Sequence, residues 1–147
     1  MLTGRTPGRL LARGVCRHLY QRGFSCLEEF TPTRGLRVDV MALTARGELW
    51  VIECKSSRAD FAVDSKWSNY LAYCDRFLFA VGSEFPVDIL PEEAGLMIAD
   101  EYDAEILRKG VVHKLSSARR KKLLIQFGRS SADRVMRLLE LAPGERK

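Results

Sequence analysis

The chain has 147 residues, a length typical of one domain, and we predict a single domain over residues 1–147. Its 46% hydrophobic and 29% charged residues are typical of a globular protein and exclude a disordered or fibrous chain. The 24 Lys and Arg residues against 19 Asp and Glu residues give a net charge of +5, which permits a polyanionic partner without requiring one.

The first predicted element is a helix over residues 6–22. Its apolar residues recur at helical spacing, Pro7 suits the first turn, and Gly23 suits the end. Arginines recur every four residues along it and form one basic stripe: Arg5, Arg9, Arg13 and Arg17.

Three strands follow the helix. Residues 24–30 form a short strand that ends in a turn over residues 31–35. Residues 36–44 and 48–55 form a hairpin whose three-residue loop contains a glycine. Because the hairpin strands are largely apolar on both faces, we expect them to lie inside a sheet that is covered on both sides.

A second helix is predicted over residues 58–73. Ser57 and Asp60 resemble a capping box, and the apolar ridge of this helix includes Trp67, which we expect in the core. The ridge would place the helix against one face of the sheet.

Residues 76–81 and 95–99 read as further strands, and residues 104–107 as an edge strand. Ser117 is predicted to cap a long helix over residues 118–141. The apolar residues of that helix are expected to face inward: Leu123, Leu124, Phe127, Val135, Leu138 and Leu139. The order of elements predicts an α/β fold, with a mixed and partly antiparallel central sheet flanked by helices.

Charge is distributed unevenly along the chain. Residues 1–23 hold five basic and no acidic residues, residues 24–107 hold 7 basic and 16 acidic residues, and residues 108–147 hold 12 basic and 3 acidic residues. This pattern is expected if central carboxylates hold a cation while the ends contact phosphates. Solvated faces of basic helices explain the ends equally well.

Neither a membrane segment nor a cysteine-based site is predicted. No apolar run approaches the roughly 18 residues of a membrane-spanning helix, so we expect a cytoplasmic protein with no membrane partner. The four cysteines form no C-x-x-C pair, which argues against a zinc knuckle and indicates reduced thiols.

Three charged residues lie inside the apolar hairpin strands: Asp39, Glu53 and Lys55. Glu53 and Lys55 share a face, roughly 7 Å apart. If the hairpin closes through the three-residue loop, Asp39 lies opposite Glu53 with Cβ atoms about 4.5 to 5.5 Å apart.

Two adjacent carboxylates repel each other unless one is protonated or a cation lies between them. Mg²⁺ or Mn²⁺ with oxygen ligands suits such a pair and is suited to phosphodiester hydrolysis. Lys55 would orient or deprotonate the attacking water and counter the developing charge. A plain ion pair between Lys55 and either acid is the structural alternative.

At these residues the chain resembles a known family. Asp39 and the Glu53-Cys54-Lys55 segment are similar to the PD-(D/E)xK signature, and the element order resembles the restriction-endonuclease-like core. The motifs RVDVMAL, WVIECKSSRADF, CDRFLFAV and ILPEEAGLMIAD together resemble the MmcB-like DNA repair proteins of bacteria.

The resemblance implies Asp39 and Glu53 as metal ligands, Lys55 as the catalytic lysine and the Cys54 carbonyl as a further ligand, with Mg²⁺ or Mn²⁺ as cofactor. It also implies one further acid near the end of the first strand. Glu28 and Glu29 are the candidates there, and Glu29 matches more closely. Only one of the two can share the face of the site, because side chains alternate along a strand.

Several basic residues are candidates for contacting nucleic acid. The resemblance implies a polar residue on the second helix that positions the phosphate, and Lys66 fits that place best. Arg37 would bind phosphate or pair with a site carboxylate, two alternatives of equal weight. Candidates on the two end helices are Arg9, Arg13, Arg119, Arg120, Lys121 and Lys122.

The resemblance implies a bacterial, nucleoid-associated DNA repair protein and, first, a metal-dependent nuclease acting on DNA. A catalytically silent DNA-binding accessory is the alternative, and RNA processing on the same fold is a third possibility. No motif for base-specific recognition is present, so we expect recognition of DNA structure or damage. Other repair proteins and a second copy of the chain are the further expected partners.

Overall fold

The computed structural model describes residues 6–63 and 67–141. They fall into two compact units, Met1–Leu115 and Ser116–Lys147. The single domain expected over residues 1–147 stays a prediction. None of the described helices is both long and apolar enough to span a bilayer.

The first unit is an α/β layer structure around a six-stranded mixed sheet. Its elements are α1 (Pro7–Gln21), β1 (Ser25–Thr33), β2 (Leu36–Leu43), β3 (Leu49–Lys55), α2 (Arg58–Val63), a 3₁₀ helix (Trp67–Tyr73), β4 (Arg76–Val81), a 3₁₀ turn (Val87–Ile89), β5 (Gly95–Ala99) and β6 (Ala104–Arg108). The strands are ordered β1-β2-β3-β4-β5-β6. β3, β4 and β5 run parallel, while the outer pairs are antiparallel. The predicted α/β fold with a mixed sheet is confirmed.

Helix α1 forms as predicted and covers one face of the sheet. The Thr6 hydroxyl accepts a hydrogen bond from the Arg9 N–H at 3.3 Å, and Pro7 occupies the first turn. Its apolar side chains pack on alternate residues of the central strands. The fully buried members of this cluster are Val15, Leu19, Val40, Ala42, Ile52, Leu78, Ala80 and Met97.

The predicted hairpin is confirmed, with its register. Thr44 N–H donates to the Glu48 carbonyl at 2.9 Å, and Val40 pairs with Ile52. β1 is longer than predicted, because it continues through Pro32 to Thr33 before a turn of only two residues. An edge strand tolerates proline, since the missing N–H leaves no neighbouring strand unpaired.

The second predicted helix is wrong in extent. α2 ends at Val63, and the 3₁₀ helix begins at Trp67. A 3₁₀ helix places residues three apart on one side, so that Trp67 and Tyr70 both contact the Phe77 ring, at centroid distances of 5.5 and 5.6 Å. Trp67 packs on the Phe77 and Phe79 rings but is only half-buried, so its expected place in the core is confirmed only in part.

Asp75 is a buried structural residue that the sequence did not reveal. Its two carboxylate oxygens accept hydrogen bonds from Leu49 N–H at 2.8 Å and Leu115 N–H at 3.0 Å. Its own backbone N–H donates to the Leu49 carbonyl, and its carbonyl accepts from His113 N–H. One residue thus joins the start of β3, the start of β4 and the segment after β6.

The second unit contains α3 (Ser117–Leu141). Its N-cap is Ser116, whose hydroxyl accepts from Arg119 N–H at 3.2 Å, one residue before the predicted cap. Leu123 and Phe127 are buried, but Val135, Leu138 and Leu139 are exposed, which contradicts their predicted inward orientation. Helical periodicity identifies the apolar face of a helix but not the length over which another element covers it.

Candidate active site

A cavity of about 860 Å³ lies in the first unit, where the start of α1 meets β1, β2 and β3. Four acidic residues predicted from the sequence line it together with basic and polar groups. Its charged and hydroxyl-bearing lining is Glu28, Glu29, Asp39, Glu53, Asp60, Arg9, Arg37, Lys55, Thr6, Ser56 and Tyr70. The structure therefore brings together residues that lie as far apart in the sequence as Thr6 and Tyr70.

Two hydrogen bonds link Asp39 to Glu53 and to Cys54 across the open end of the β2–β3 hairpin. Asp39 N–H donates to Glu53 Oε2 at 2.7 Å, and Cys54 N–H donates to Asp39 Oδ2 at 2.8 Å. The last backbone-paired residues of the hairpin are Val40 and Ile52. Side-chain carboxylates thus replace the next backbone acceptors, and the predicted proximity of the two acids is confirmed.

Burial strongly affects the charged groups at this place. Glu53 is only 3% exposed and Lys55 only 7% exposed. Burial and, next, the Asp39 charge raise the pKa of Glu53 to about 8, against hydrogen bonds from Asp39 N–H and Tyr70. Burial also raises the pKa of Asp39, although the Cys54 N–H and the Lys55 charge oppose that shift.

The donor atoms at this place suit a hard cation. Two carboxylates disfavour each other's charge, which a bound cation would relieve. The Cys54 carbonyl faces the start of α1, because a Cβ on Gly8 would stand 3.8 Å from its oxygen. Among the described residues, no group of three or more His, Cys, Asp or Glu side chains could hold a metal. The donors available at this place are carboxylate and carbonyl oxygens, the ligand type that Mg²⁺ and Mn²⁺ prefer.

The two adjacent glutamates of β1 both reach the cavity. Glu28 pairs with Arg13 at 2.6 Å, and Glu29 pairs with Arg9 at 3.0 Å. The prediction that only one of them shares this side is wrong. Glu29 adopts a left-handed backbone with φ of 52°, which breaks the alternation of a regular strand.

A family model for MmcB-like DNA repair proteins matches residues 4–142. The chain belongs to the MmcB-like family. A solved structure of a protein of unknown function from Silicibacter pomeroyi is 54% identical, with a TM-score of 0.91 over 98% of this chain and 97% of that chain. No curated protein matches the sequence. Family membership supports a role in DNA repair for this protein.

The remaining predicted residues of this MmcB-like protein lie in different places. Arg37 is 66% exposed on its side chain and lies 3.7 Å from Glu29, which favours its pairing with a carboxylate in the DNA-free state. Lys66 lies outside the described residues. Four others belong to the first turns of α3 in the second unit: Arg119 and Arg120, which are half-buried, and Lys121 and Lys122, which are exposed.

Two residues of the MmcB-like site were not assigned from the sequence. Tyr70 is 9% exposed, and its side chain hydrogen-bonds Glu53. Asp60 accepts a hydrogen bond from Ser56 N–H at 3.0 Å, directly after Lys55, and its charge contributes to the raised pKa of Asp39. The capping pattern at Ser57 and Asp60 signals that Asp60 lies at the start of a helix, but not that it faces the site.

Proposed function

We propose that this MmcB-like protein is a metal-dependent nuclease of the PD-(D/E)xK type that hydrolyses DNA phosphodiester bonds during repair. The observation that carries the proposal is the reciprocal hydrogen bonding at Asp39 and Glu53, with buried Lys55 lining the same cavity. Membership in a DNA repair family supports DNA as the substrate.

Asp39, Glu53 and the Cys54 carbonyl would hold Mg²⁺ or Mn²⁺. Such an ion supplies Lewis-acid polarisation of the phosphoryl oxygen and stabilises the charge that develops during hydrolysis. The protein fixes these donors through its backbone: Asp39 N–H orients the Glu53 carboxylate, and Cys54 N–H orients the Asp39 carboxylate. Tyr70 gives Glu53 a further side-chain hydrogen bond.

Lys55 is the proposed group that acts on water and on the phosphate. Its charge lowers the pKa of both carboxylates, and its side chain lines the same cavity. A buried ammonium in this position orients the attacking water and stabilises negative charge on the phosphoryl oxygens. A purely structural ion pair with Lys55 would need only one carboxylate, whereas both Asp39 and Glu53 line the cavity with it.

The DNA backbone is proposed to enter past Arg9 and Arg37, whose side chains are 44% and 66% exposed at this cavity. Guanidinium groups match phosphate oxygens in geometry and charge. Phosphate contacts carry no base identity, so selectivity would come from DNA structure or damage rather than from sequence.

The test is cleavage of plasmid, gapped, flapped and junction DNA with Mg²⁺, Mn²⁺ or EDTA. Wild type and Glu105→Gln, a charge-matched change at an exposed position on β6, should cut in the presence of metal. Asp39→Asn and Lys55→Met should not. If wild type binds these DNAs and cuts none of them with either metal, the chain is a DNA-binding accessory instead.

A further inference from the structure

We infer that Glu29 substitutes for a DNA phosphate when the site is free of DNA. Its carboxylate would hold Arg9 and Arg37 where a backbone phosphate later takes its place. The inference rests on the proposed function in one respect, that DNA is the ligand of this cavity. The resemblance implies that Glu29 is an acid of the catalytic site, and this inference assigns it a different role.

The first argument is the convergence of two arginines from different elements on one carboxylate. Arg9 Nη1 of α1 lies 3.0 Å from Glu29 Oε2, and Arg37 Nη1 of β2 lies 3.7 Å from Glu29 Oε1. Each carboxylate oxygen therefore faces one guanidinium. A phosphate group offers the same pair of acceptor oxygens to the same two donors.

The second argument is that this arrangement is accessible and exchangeable. The side chains of Arg9, Arg37 and Glu29 are 44%, 66% and 36% exposed. Exposed ion pairs of this kind are weak and are screened by salt, so an incoming polyanion can displace the carboxylate.

The neighbouring Arg13–Glu28 pair differs from the Glu29 pairs in its length and in the exposure of its side chains. It is shorter, at 2.6 Å, and the two side chains are only 33% and 17% exposed. The hydrogen bond with Glu28 raises the pKa of Arg13. This pair has the properties of a permanent contact between α1 and β1, whereas the Glu29 pairs have those of an exchangeable one.

The third argument is the backbone of Glu29. Among the described residues, it is the one non-glycine residue with a positive φ, at 52°. Such a conformation is disfavoured for a residue with a Cβ, and residues that adopt it cluster at functional sites. Glu29 lies between the pairs Glu28–Val40 and Phe30–Val38, and so lies across from Asp39. The unusual backbone thus directs a carboxylate to the arginines beside the proposed catalytic acid.

The mechanism is an exchange of partners without a covalent step. Without DNA, Glu29 neutralises two positive charges and keeps both guanidinium groups oriented. With DNA, phosphate oxygens replace Oε1 and Oε2, and the Glu29 carboxylate moves into solvent. Glu29 therefore competes with DNA, and its removal should strengthen DNA binding.

The test compares Glu29→Gln and Glu29→Gly with wild type and with the charge-matched control Glu105→Gln. Glycine accepts the left-handed backbone without strain, so Glu29→Gly keeps the test possible if glutamine impairs folding. Binding to a fluorescein-labelled flapped duplex is measured by anisotropy in Ca²⁺ and in EDTA over a series of salt concentrations. Cleavage by the same proteins is measured in Mg²⁺.

We expect both Glu29 variants to bind about three- to tenfold more tightly, with a salt slope steeper by up to about one unit. Glu105→Gln should match wild type in affinity, and Arg9→Gln and Arg37→Gln should bind more weakly. Equal or weaker binding by both Glu29 variants would overturn the inference.

Cleavage separates this inference from the proposed nuclease function. Tighter binding without cleavage by any protein supports the Glu29 inference and overturns the nuclease proposal. In the opposite outcome, wild type cuts DNA, while the Glu29 variants bind it with unchanged affinity and do not cut it. That result supports the nuclease proposal, overturns the Glu29 inference and makes Glu29 an acid of the catalytic site.

Discussion

The Glu53 carboxylate accepts a hydrogen bond of 2.7 Å from the backbone N–H of Asp39, at the point where β2 and β3 stop pairing. In return, the Asp39 carboxylate accepts the N–H of Cys54, the residue after Glu53. Each acid is thus oriented by the backbone next to the other. The arrangement fixes two carboxylates at one place, although the charge of Asp39 opposes that of Glu53, and although Glu53 is buried and Asp39 half-buried.

The first prediction concerns the stability of the metal-free protein as a function of pH. The pKa of Glu53 is raised to about 8 in the folded state, against an ordinary value of 4.5. Its protonated form therefore stabilises the fold at low pH, and that contribution is lost as pH rises from about 5 to about 8. Between these limits, the free energy of unfolding of wild type should fall more than that of Glu53→Gln, as measured by urea denaturation in EDTA. Parallel pH profiles for the two proteins would show that Glu53 is ionised normally.

The second prediction concerns metal binding without any DNA. A cation that binds Asp39 and Glu53 in the folded state alone should raise the melting temperature with increasing concentration. We expect Mg²⁺ and Mn²⁺ to stabilise wild type, and Asp39→Asn to abolish this effect while Glu105→Gln retains it. Differential scanning calorimetry of EDTA-stripped protein makes the comparison. Equal stabilisation of Asp39→Asn would place the ion elsewhere.

The third prediction concerns Asp75, which has a structural role outside the cavity. Asp75→Ala leaves the buried N–H groups of Leu49 and Leu115 without their acceptor oxygens. We expect a loss of about 2 to 4 kcal/mol in the free energy of unfolding, measured by urea denaturation. Asp75→Asn keeps one acceptor oxygen and should lose less. A change below about 0.5 kcal/mol for the alanine variant would contradict this role.

The fourth prediction concerns the basic start of α3. Lys121 and Lys122 are exposed there, so their substitution by alanine should leave the helix folded. If they contact DNA phosphates, the double variant should reduce the slope of log K against log salt by up to about two units. An unchanged slope in fluorescence anisotropy titrations would remove α3 from the DNA contact.

The hairpin and its acids could be predicted because their determinants are local. Loop length and the apolar pattern set the register from Thr44–Glu48 inward, and this register brings Asp39 to Glu53. Because Asp39, Glu53 and Lys55 interrupt apolar strands, they could be recognised as site candidates without knowledge of the remaining fold.

Other features depend on contacts that residue patterns do not encode. Nothing in the sequence marks Glu29 as left-handed, since that conformation is common only for glycine and asparagine-like residues. Asp75 contacts segments 26 and 40 residues away along the chain. Trp67 and Tyr70 lie on a 3₁₀ helix and pack on Phe77, a tertiary contact that helical spacing in the sequence does not reveal.

The most direct test of the central claim is the single-turnover rate of DNA cleavage by EDTA-stripped protein after Mg²⁺ is restored. Wild type and Lys55→Met are compared on a labelled flapped duplex, with Glu105→Gln as a control substitution at an exposed position. The account predicts cleavage by wild type and the control, and a rate at least about 100-fold lower for Lys55→Met. Cleavage by Lys55→Met at the wild-type rate would contradict it.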